Sequence, residues 1–493
     1  MHLKNILGNS RIEAGAYSPF AYAIGIESSV LEAEASMQPY PITQPISIEV
    51  RNKFSTSLTF FHECAHFSQF ISSSFGLRTL RYTLICLRNL STKRGWPLPI
   101  FQNLHSRLES LSEDEKTMYG HCFMLADAMD QLSISQNFDP LKKCLSGLTV
   151  SVRMEPWSPH FSITPADRES IEKDEFIKFL VSIGAHIKKI PIIEVATEDG
   201  LAQIALNAAS LMEAYAVVCE LSHLQNALRC DLAEALNYLP EGNEYWAVIL
   251  YVLQSGFCRL DTLLPTLSVC IDIALMYDPF ILYDVPWDIV DEQGRGDCYP
   301  GETFVTVCNA LPKLRPIESA EPAEIERFSK ELCACVGLPS PTWMADKAFA
   351  VADNILKQLP WERALMGGAL KAHRDALKIR RDIGASIFPI ELITTGGLNR
   401  IVSRARQSIV FYNLHTKQPD IFVPRAIDCI TVHSILMQAI FAPAIRCPLK
   451  FGTPFFCPTA ASDPNHLCVW KLPDRKVECL VDILERQFGL SVE

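Results

Sequence analysis

The segment Thr59-Phe60-Phe61-His62-Glu63-Cys64-Ala65-His66-Phe67-Ser68-Gln69 contains an H-E-x-x-H element, and its spacing constrains the fold more than anything else in the chain. Two histidines four apart on a helix differ by about 40° in azimuth and one turn in height, so both imidazoles reach a single ion. Glu63, beside them, is placed to take a proton from a water polarised by that ion without binding it. The element must therefore be a helix, and another part of the chain must approach its histidine face.

The flanking residues fit a helix. Phe60, Cys64, Phe67 and Ile71 recur at i, i+4, i+7 and i+11, an apolar stripe roughly opposite His62 and His66. Gln69, seven after His62, falls on the histidine side, where an amide can orient an imidazole or a substrate. The expectation is a helix anchored by one face and lining a cleft with the other. Ser73, Ser74 and Gly76 are expected to mark its end.

Catalytic zinc usually has three protein ligands and an open position for water. Six residues after His66 stands Ser72, so the third ligand must come from elsewhere. The best supplier is Leu201 to Cys230, an alanine-rich run expected to be helical, with Glu213 alone in its apolar middle. A carboxylate there demands a partner, either an ion or a neighbouring Arg or Lys. Ala209, Ala214 and Ala216 leave room for a close helix contact.

His62-Glu63-x-x-His66 followed downstream by Glu213-x-x-Ala216 resembles the gluzincin branch of the zincin metallopeptidases, over these two helices only. The resemblance implies that His62, His66 and Glu213 bind Zn2+, that Glu63 is the general base, and that an amide bond of a peptide or protein substrate is hydrolysed. Four residues after Glu213, where one gluzincin group carries a supporting acid, stands Val217; Glu220 is either its substitute or a rival ligand. For stabilising an oxyanion, Tyr215 points about 200° away from Glu213, while His223, Tyr82 and Arg81 remain open.

Composition sets the frame. A chain of 493 residues, 48% hydrophobic and 20% charged, is a folded protein of two or three domains' length. A net charge of −11 gives no footprint for nucleic acid. Seventeen cysteines without paired spacing suit buried thiols in a reducing compartment, and the N-terminus lacks a secretory h-region; the expected location is cytoplasmic. The greasiest stretch, Tyr245 to Tyr283, is broken by Arg259, Asp261, Pro265 and Asp272, so it reads as two buried helices and not a membrane span.

Elsewhere, Ile46 to Val50 alternates as a strand should. Leu77 to Leu90, Leu104 to Leu111 and Glu113 to Leu132 read as helices. Leu148 to Ile163 looks extended, with a turn at Trp157-Ser158-Pro159, and Ile190 to Ala196 reads as a strand. From Pro240 to Pro339 helices alternate with loops, among them the polar segment Asp291 to Asp297. Lys371, Arg374, Lys378 and Arg381 form a basic helical stripe, followed by Arg400, Arg404 and Arg406, and read as a solvated face. Cys447, Cys457, His466 and Cys468 lack the spacing of a structural zinc site. Signatures of serine hydrolases, P-loops and dinucleotide folds are missing from the sequence.

The fold expected is α+β and predominantly α-helical. It would comprise a zincin-like catalytic region at 1–240, a helical region at 241–345 and a mixed C-terminal region at 346–493. Two functions compete: a zinc-dependent hydrolase, foremost a peptidase, and a non-catalytic interaction protein on the same scaffold whose C-terminal half binds a partner.

Overall fold

Side chains cap several of the helix starts among the described residues. The computed structural model describes residues 15–19, 22–26, 48–92, 110–132, 149–156, 189–197, 200–228, 231–236, 243–254, 256–284, 299–358, 362–394 and 396–398, with isolated positions and short pieces up to 440. A short N-terminal hairpin, β1 (Gly15–Ser18) and β2 (Ala23–Ile26), precedes the long helix α1 (Ile48–Ile71). Next come α2 (Ser74–Thr92) and α3 (Glu113–Gln131). Ser73 caps α2, its Oγ accepting from the Gly76 amide at 3.1 Å. Ser112 and Glu115 form a reciprocal box at the start of α3, the Ser112 amide donating to Glu115 at 2.8 Å.

Three antiparallel strands follow: β3 (Thr149–Pro156), β4 (Lys189–Thr197) and β5 (Gly200–Ala205). The central β4 pairs Ala196 with Thr149 on one side and Ile192 with Ala205 on the other. Helix α4 (Ala208–Leu228) starts at once, because Asn207 and Ser210 cap it reciprocally: Asn207 Oδ1 accepts from the Ser210 amide at 3.0 Å, and Ser210 Oγ from the Asn207 amide at 2.9 Å. The remaining elements are α5 (Leu232–Leu236), α6 (Asn243–Gln254), α7 (Leu263–Met276), α8 (Pro279–Leu282), α9 (Pro300–Ala310), α10 (Pro322–Cys335), α11 (Pro341–Gln358), α12 (Glu362–Ile383), α13 (Phe388–Leu392) and β6 (Phe411–Tyr412). β6 adds in parallel to β2. The described chain is thus mostly helical with two small sheets, each of three strands.

Three expectations change. Ile48, Glu49 and Val50 open α1 and belong to no strand; the alternation there is a short stretch of a helix that continues for about six turns. Leu201 to Ala205 is strand β5 and not the start of the alanine-rich helix, since pairing with β4 takes these residues and the Asn207 cap fixes the helix start after them. Ser74 and Gly76 lie inside α2 and do not end α1. Gly76 is there for contact: a Cβ on it would sit 1.9 Å from the carbonyl oxygen of Phe70, so only glycine lets α2 fold back this closely on the last turn of α1. Residues 104–109, 157–163 and 291–297 lie outside the described residues.

The core centres on α4, which packs against α1, α6, α7 and α9, while α12 covers α1 and α2 and pairs with α11. Buried apolar residues from Tyr22 to Ile440 join one continuous cluster. Two ionic groups lie inside it. Arg380 of α12, 1% exposed, makes a bidentate pair with Asp272 of α7 at 2.6 and 2.8 Å. Arg78 of α2 reaches Asp278 at 3.2 Å and Asp127 at 3.4 Å, and Tyr299 donates to Asp127 at 2.8 Å. Burial pushes the Asp278 carboxyl up, against the pull of Arg78 and of the α8 amides it caps. Among the described residues no helix is long and apolar enough to cross a membrane.

Burial pushes His373 of α12 down to about 3, a neutral ring whose Nε2 lies 2.8 Å from the Tyr22 hydroxyl. Its pKa in the unfolded chain is the ordinary one, about 6.5, so the unfolded state takes up a proton first as pH falls and the folded state loses stability below about 6.5. Between pH 7.5 and 5.5 this one group removes about 1 kcal/mol. Urea titrations at the two pH values should show that increment in the unmodified chain and its loss in His373→Asn; equal pH dependence in both would refute the assignment.

Candidate metal centre

Helix α1 brings His62 and His66 to one side, and α4 lies directly across that side. The two helices run antiparallel, since His66 meets Glu213, His62 meets both Glu213 and Glu220, and Phe61 stacks on His223 with ring centroids 4.2 Å apart. Ala209, Ala214 and Ala216 are buried in α4 and keep it slender. The apolar stripe of α1 is buried at Cys64, Phe67 and Ile71.

Three ligand atoms converge. His62 Nε2 lies 3.0 Å from Glu213 Oε2, His66 Nε2 lies 3.3 Å from the same oxygen, and the two Nε2 atoms are 2.9 Å apart. A tetrahedral ion with bonds of about 2.0–2.1 Å to His and carboxylate spaces its ligand atoms at about 3.3 Å. The trio is slightly tighter than that, and a circle through its atoms has a radius of about 1.8 Å, so an ion of zinc's size can touch all three from a point off their plane. Without an ion, atoms this close require protons between them. Among the described residues this is the one group of three or more His, Cys, Asp or Glu side chains whose ligand atoms all lie within 4.8 Å of one another.

Electrostatics agree with the geometry. Burial opposes a charge on His62, but Glu220 and Glu213 outweigh it and hold the imidazole well above its ordinary pKa. Burial likewise opposes charge on Glu213, yet His66 and His62 pull its carboxyl well below the usual carboxylate range. An ion would take the place of the shared proton, as metal binding to imidazole and carboxylate generally does. The donor set of two imidazoles and one carboxylate therefore fits a divalent cation.

Glu220 occupies a definite place. Its Oε1 lies 3.0 Å from His62 Nδ1, the ring nitrogen away from the trio. It is thus no rival to Glu213; it fixes the tautomer and orientation of His62 and raises its basicity, as carboxylates behind metal-bound histidines do.

The surroundings depart from the sequence expectation in two respects. The histidine face does not line an open cleft: His62 and His66 are 7% and 6% exposed and Glu63 5%, because α4 seals that side. Glu213, with 17% of its side chain exposed, is the most open of the three converging residues. Gln69 is 2% exposed, and among the described residues neither its Oε1 nor its Nε2 has a hydrogen-bond partner, so it orients neither imidazole.

Of the residues considered for an oxyanion, Tyr215 gives its hydroxyl to the Pro389 carbonyl at 2.6 Å. Arg81 donates to the Phe280 carbonyl at 3.0 Å and pairs with Asp284, and Tyr82 packs against His121 and Phe280. His223 packs on Phe61 of α1, and burial lowers its pKa. The basic stripe is largely neutralised: Arg374 pairs with Asp353 at 2.9 Å, Lys378 with Asp382 at 2.7 Å and Arg381 with Asp346 at 2.6 Å, while Lys371 is exposed. Arg404 and Arg406, like Cys447, Cys457, His466 and Cys468, lie outside the described residues.

Sequence reasoning misses Arg380. It sits one position from the stripe, on the face of α12 that carries His373 and Leu377, and an arginine in register with buried positions is the available signal. Comparison with models of known protein families, with curated proteins and with solved structures finds no match to this chain.

Two outcomes are expected. If the three converging residues hold zinc, Glu220→Gln should keep one ion per chain but weaken its binding about 10- to 100-fold in a chelator competition; unchanged affinity would remove Glu220 from the centre. Gln69→Leu replaces an amide whose two buried ends each cost about 1–3 kcal/mol unpaired, so thermal denaturation should find it no less stable than the unmodified chain. A clear loss of stability would mean that the amide has a partner such as a buried water.

Proposed function

We propose that the chain is a zinc-dependent hydrolase that cleaves amide bonds in peptides or proteins, with His62, His66 and Glu213 as ion ligands and Glu63 as general base. The reading is carried by one observation, the convergence of three potential ligand atoms from two helices on a point that a divalent ion can occupy. The resemblance of the H-E-x-x-H and downstream glutamate to the gluzincins supports the choice of zinc and of amide hydrolysis.

When bound, the ion would supply Lewis acidity to the substrate carbonyl and to the attacking water. The protein's own groups do the rest. His62 and His66 would hold the ion through Nε2 as neutral rings, and Glu220 is placed to keep His62 in that tautomer by accepting from its Nδ1. Glu213 adds one negative charge, leaving the centre net positive. Glu63, buried next to His62 on α1, accepts the water proton and passes it to the leaving amine. The enclosing helices exclude bulk water, which strengthens each of these interactions.

The enclosure itself favours a second reading, a non-catalytic interaction protein on the same scaffold that binds a partner through its C-terminal half. Elemental analysis and hydrolysis of a peptide library separate the two. The peptidase reading expects one zinc per chain, lost in His62→Ala, and retention of zinc in Glu63→Gln with activity reduced about 10²- to 10⁴-fold. Zinc without hydrolysis in the unmodified chain supports the binder. A chain that takes up no metal overturns the peptidase reading and supports the binder.

A further inference from the structure

Both ligand-bearing helices are fastened to the same corner of the fold, the junction of α12 and α13. Arg380 of α12 donates from Nε to the carbonyl of Ser72 at 3.0 Å, immediately beyond the last turn of α1. On the other helix, Tyr215 of α4 donates to the carbonyl of Pro389 in α13 at 2.6 Å, and Cys219 makes a weaker contact with the Leu392 carbonyl at 3.9 Å. The corner is rigid. Arg380 is held by its two bonds to Asp272 and lies over the Phe388 ring at 4.1 Å, so the group that grips α1 also packs on the first residue of the element that grips α4.

The helical phase of α4 gives this arrangement a consequence. Glu213 and Glu220, seven apart, face α1, while Tyr215 and Cys219, four apart, face α13. α4 is thus held between the helix that carries the other two ligands and the corner that anchors that helix. An ion with bonds near ~2 Å tolerates little change in the distance between its ligands, so the spacing of α1 and α4 bears directly on it.

We infer that the α12–α13 corner sets the separation of the two ligand helices, with Arg380 and Tyr215 as positioning residues for the ion centre. The inference rests on the ion-binding reading of His62, His66 and Glu213. It makes part of the C-terminal half a structural component of the centre, since Arg380 and Pro389 stand far along the chain from the ligands whose helices they hold.

The test uses the full-length chain with Zn(II) and Co(II) as probes, since the visible absorption of Co(II) reports the geometry of its ligands. Tyr215→Phe removes only a hydroxyl, and Arg380→Lys keeps a cation for Asp272 while losing the bond to Ser72. Both are expected to retain helical circular dichroism, to bind Zn(II) about tenfold more weakly and to shift the Co(II) spectrum. Leu332→Ala, at a buried position of α10, serves as a control that lowers stability while leaving every bond named at the corner in place; it should leave affinity and spectrum unchanged. Should Tyr215→Phe bind both ions as the unmodified chain does, the positioning role is overturned and the ion centre stands. The positioning role is overturned as well if Leu332→Ala weakens binding as much, since affinity would then track stability alone. If the unmodified chain binds neither ion, the ion-binding reading falls, and this inference with it.

Discussion

An ionised group inside a helical core is held there only by another charge, and the described structure is arranged around three such pairings. Arg78 meets Asp127 and Asp278, Arg380 meets Asp272, and His62 meets Glu213 and Glu220. Each joins separate helices, most of them remote in sequence: α2 to α3 and to the start of α8, α12 to α7, α1 to α4. Removing one partner from such a pair leaves an uncompensated buried charge, a loss of about 3–5 kcal/mol, whereas the apolar contacts around them tolerate exchange of similar shapes. The pairings therefore specify which helices meet, and the apolar residues fill the space that choice leaves.

The third pairing differs from the other two. Arginine cannot give up its proton in a protein, so Arg78 and Arg380 are permanent cations and their sites are complete as they stand. The imidazole of His62 can, and its Nε2 shares a small volume with His66 Nε2 and Glu213 Oε2. Three acceptor atoms brought that close need a cation among them, either protons or a metal ion. The same geometry thus joins the two helices and gives a donor set that fits an ion, and a single acid, Glu213, belongs to both.

Much of this is legible in the residues and some is not. The H-E-x-x-H spacing dictates a helix and a common face, and one acid in an apolar run is enough to indicate Glu213, because both inferences depend on local periodicity and on the cost of a buried charge. Glu220 is ambiguous in the sequence for a definite reason: seven residues from Glu213 it shares nearly the same azimuth, and only the antiparallel approach of α1 decides which imidazole nitrogen it meets. The strand at Leu201 to Ala205 reads as helix because its alanines and leucine carry helix propensity; pairing with β4 and the Asn207 cap override that preference. Closure of the histidine face leaves no mark in the sequence, since it comes from the packing of α4 on α1, two helices far apart in the chain.

The C-terminal half shows where composition misleads. A helix with Lys371, Arg374, Lys378 and Arg381 along one side reads as a solvated surface element or as a docking face for an acidic partner. Three of the four cations are met by acids of α11 or of α12 itself, so little unbalanced charge remains to attract a partner. Its opposite face carries the functional weight: His373 beneath the N-terminal hairpin, Leu377 in the core and Arg380 on the end of α1. A helix read by its exposed charges belongs to the surface, while the same helix read by its single buried arginine belongs to the scaffold of the candidate centre. The buried residue is the better guide, because a paired charge on the surface is worth about 0–1 kcal/mol and one in the core several times that when its partner is lost.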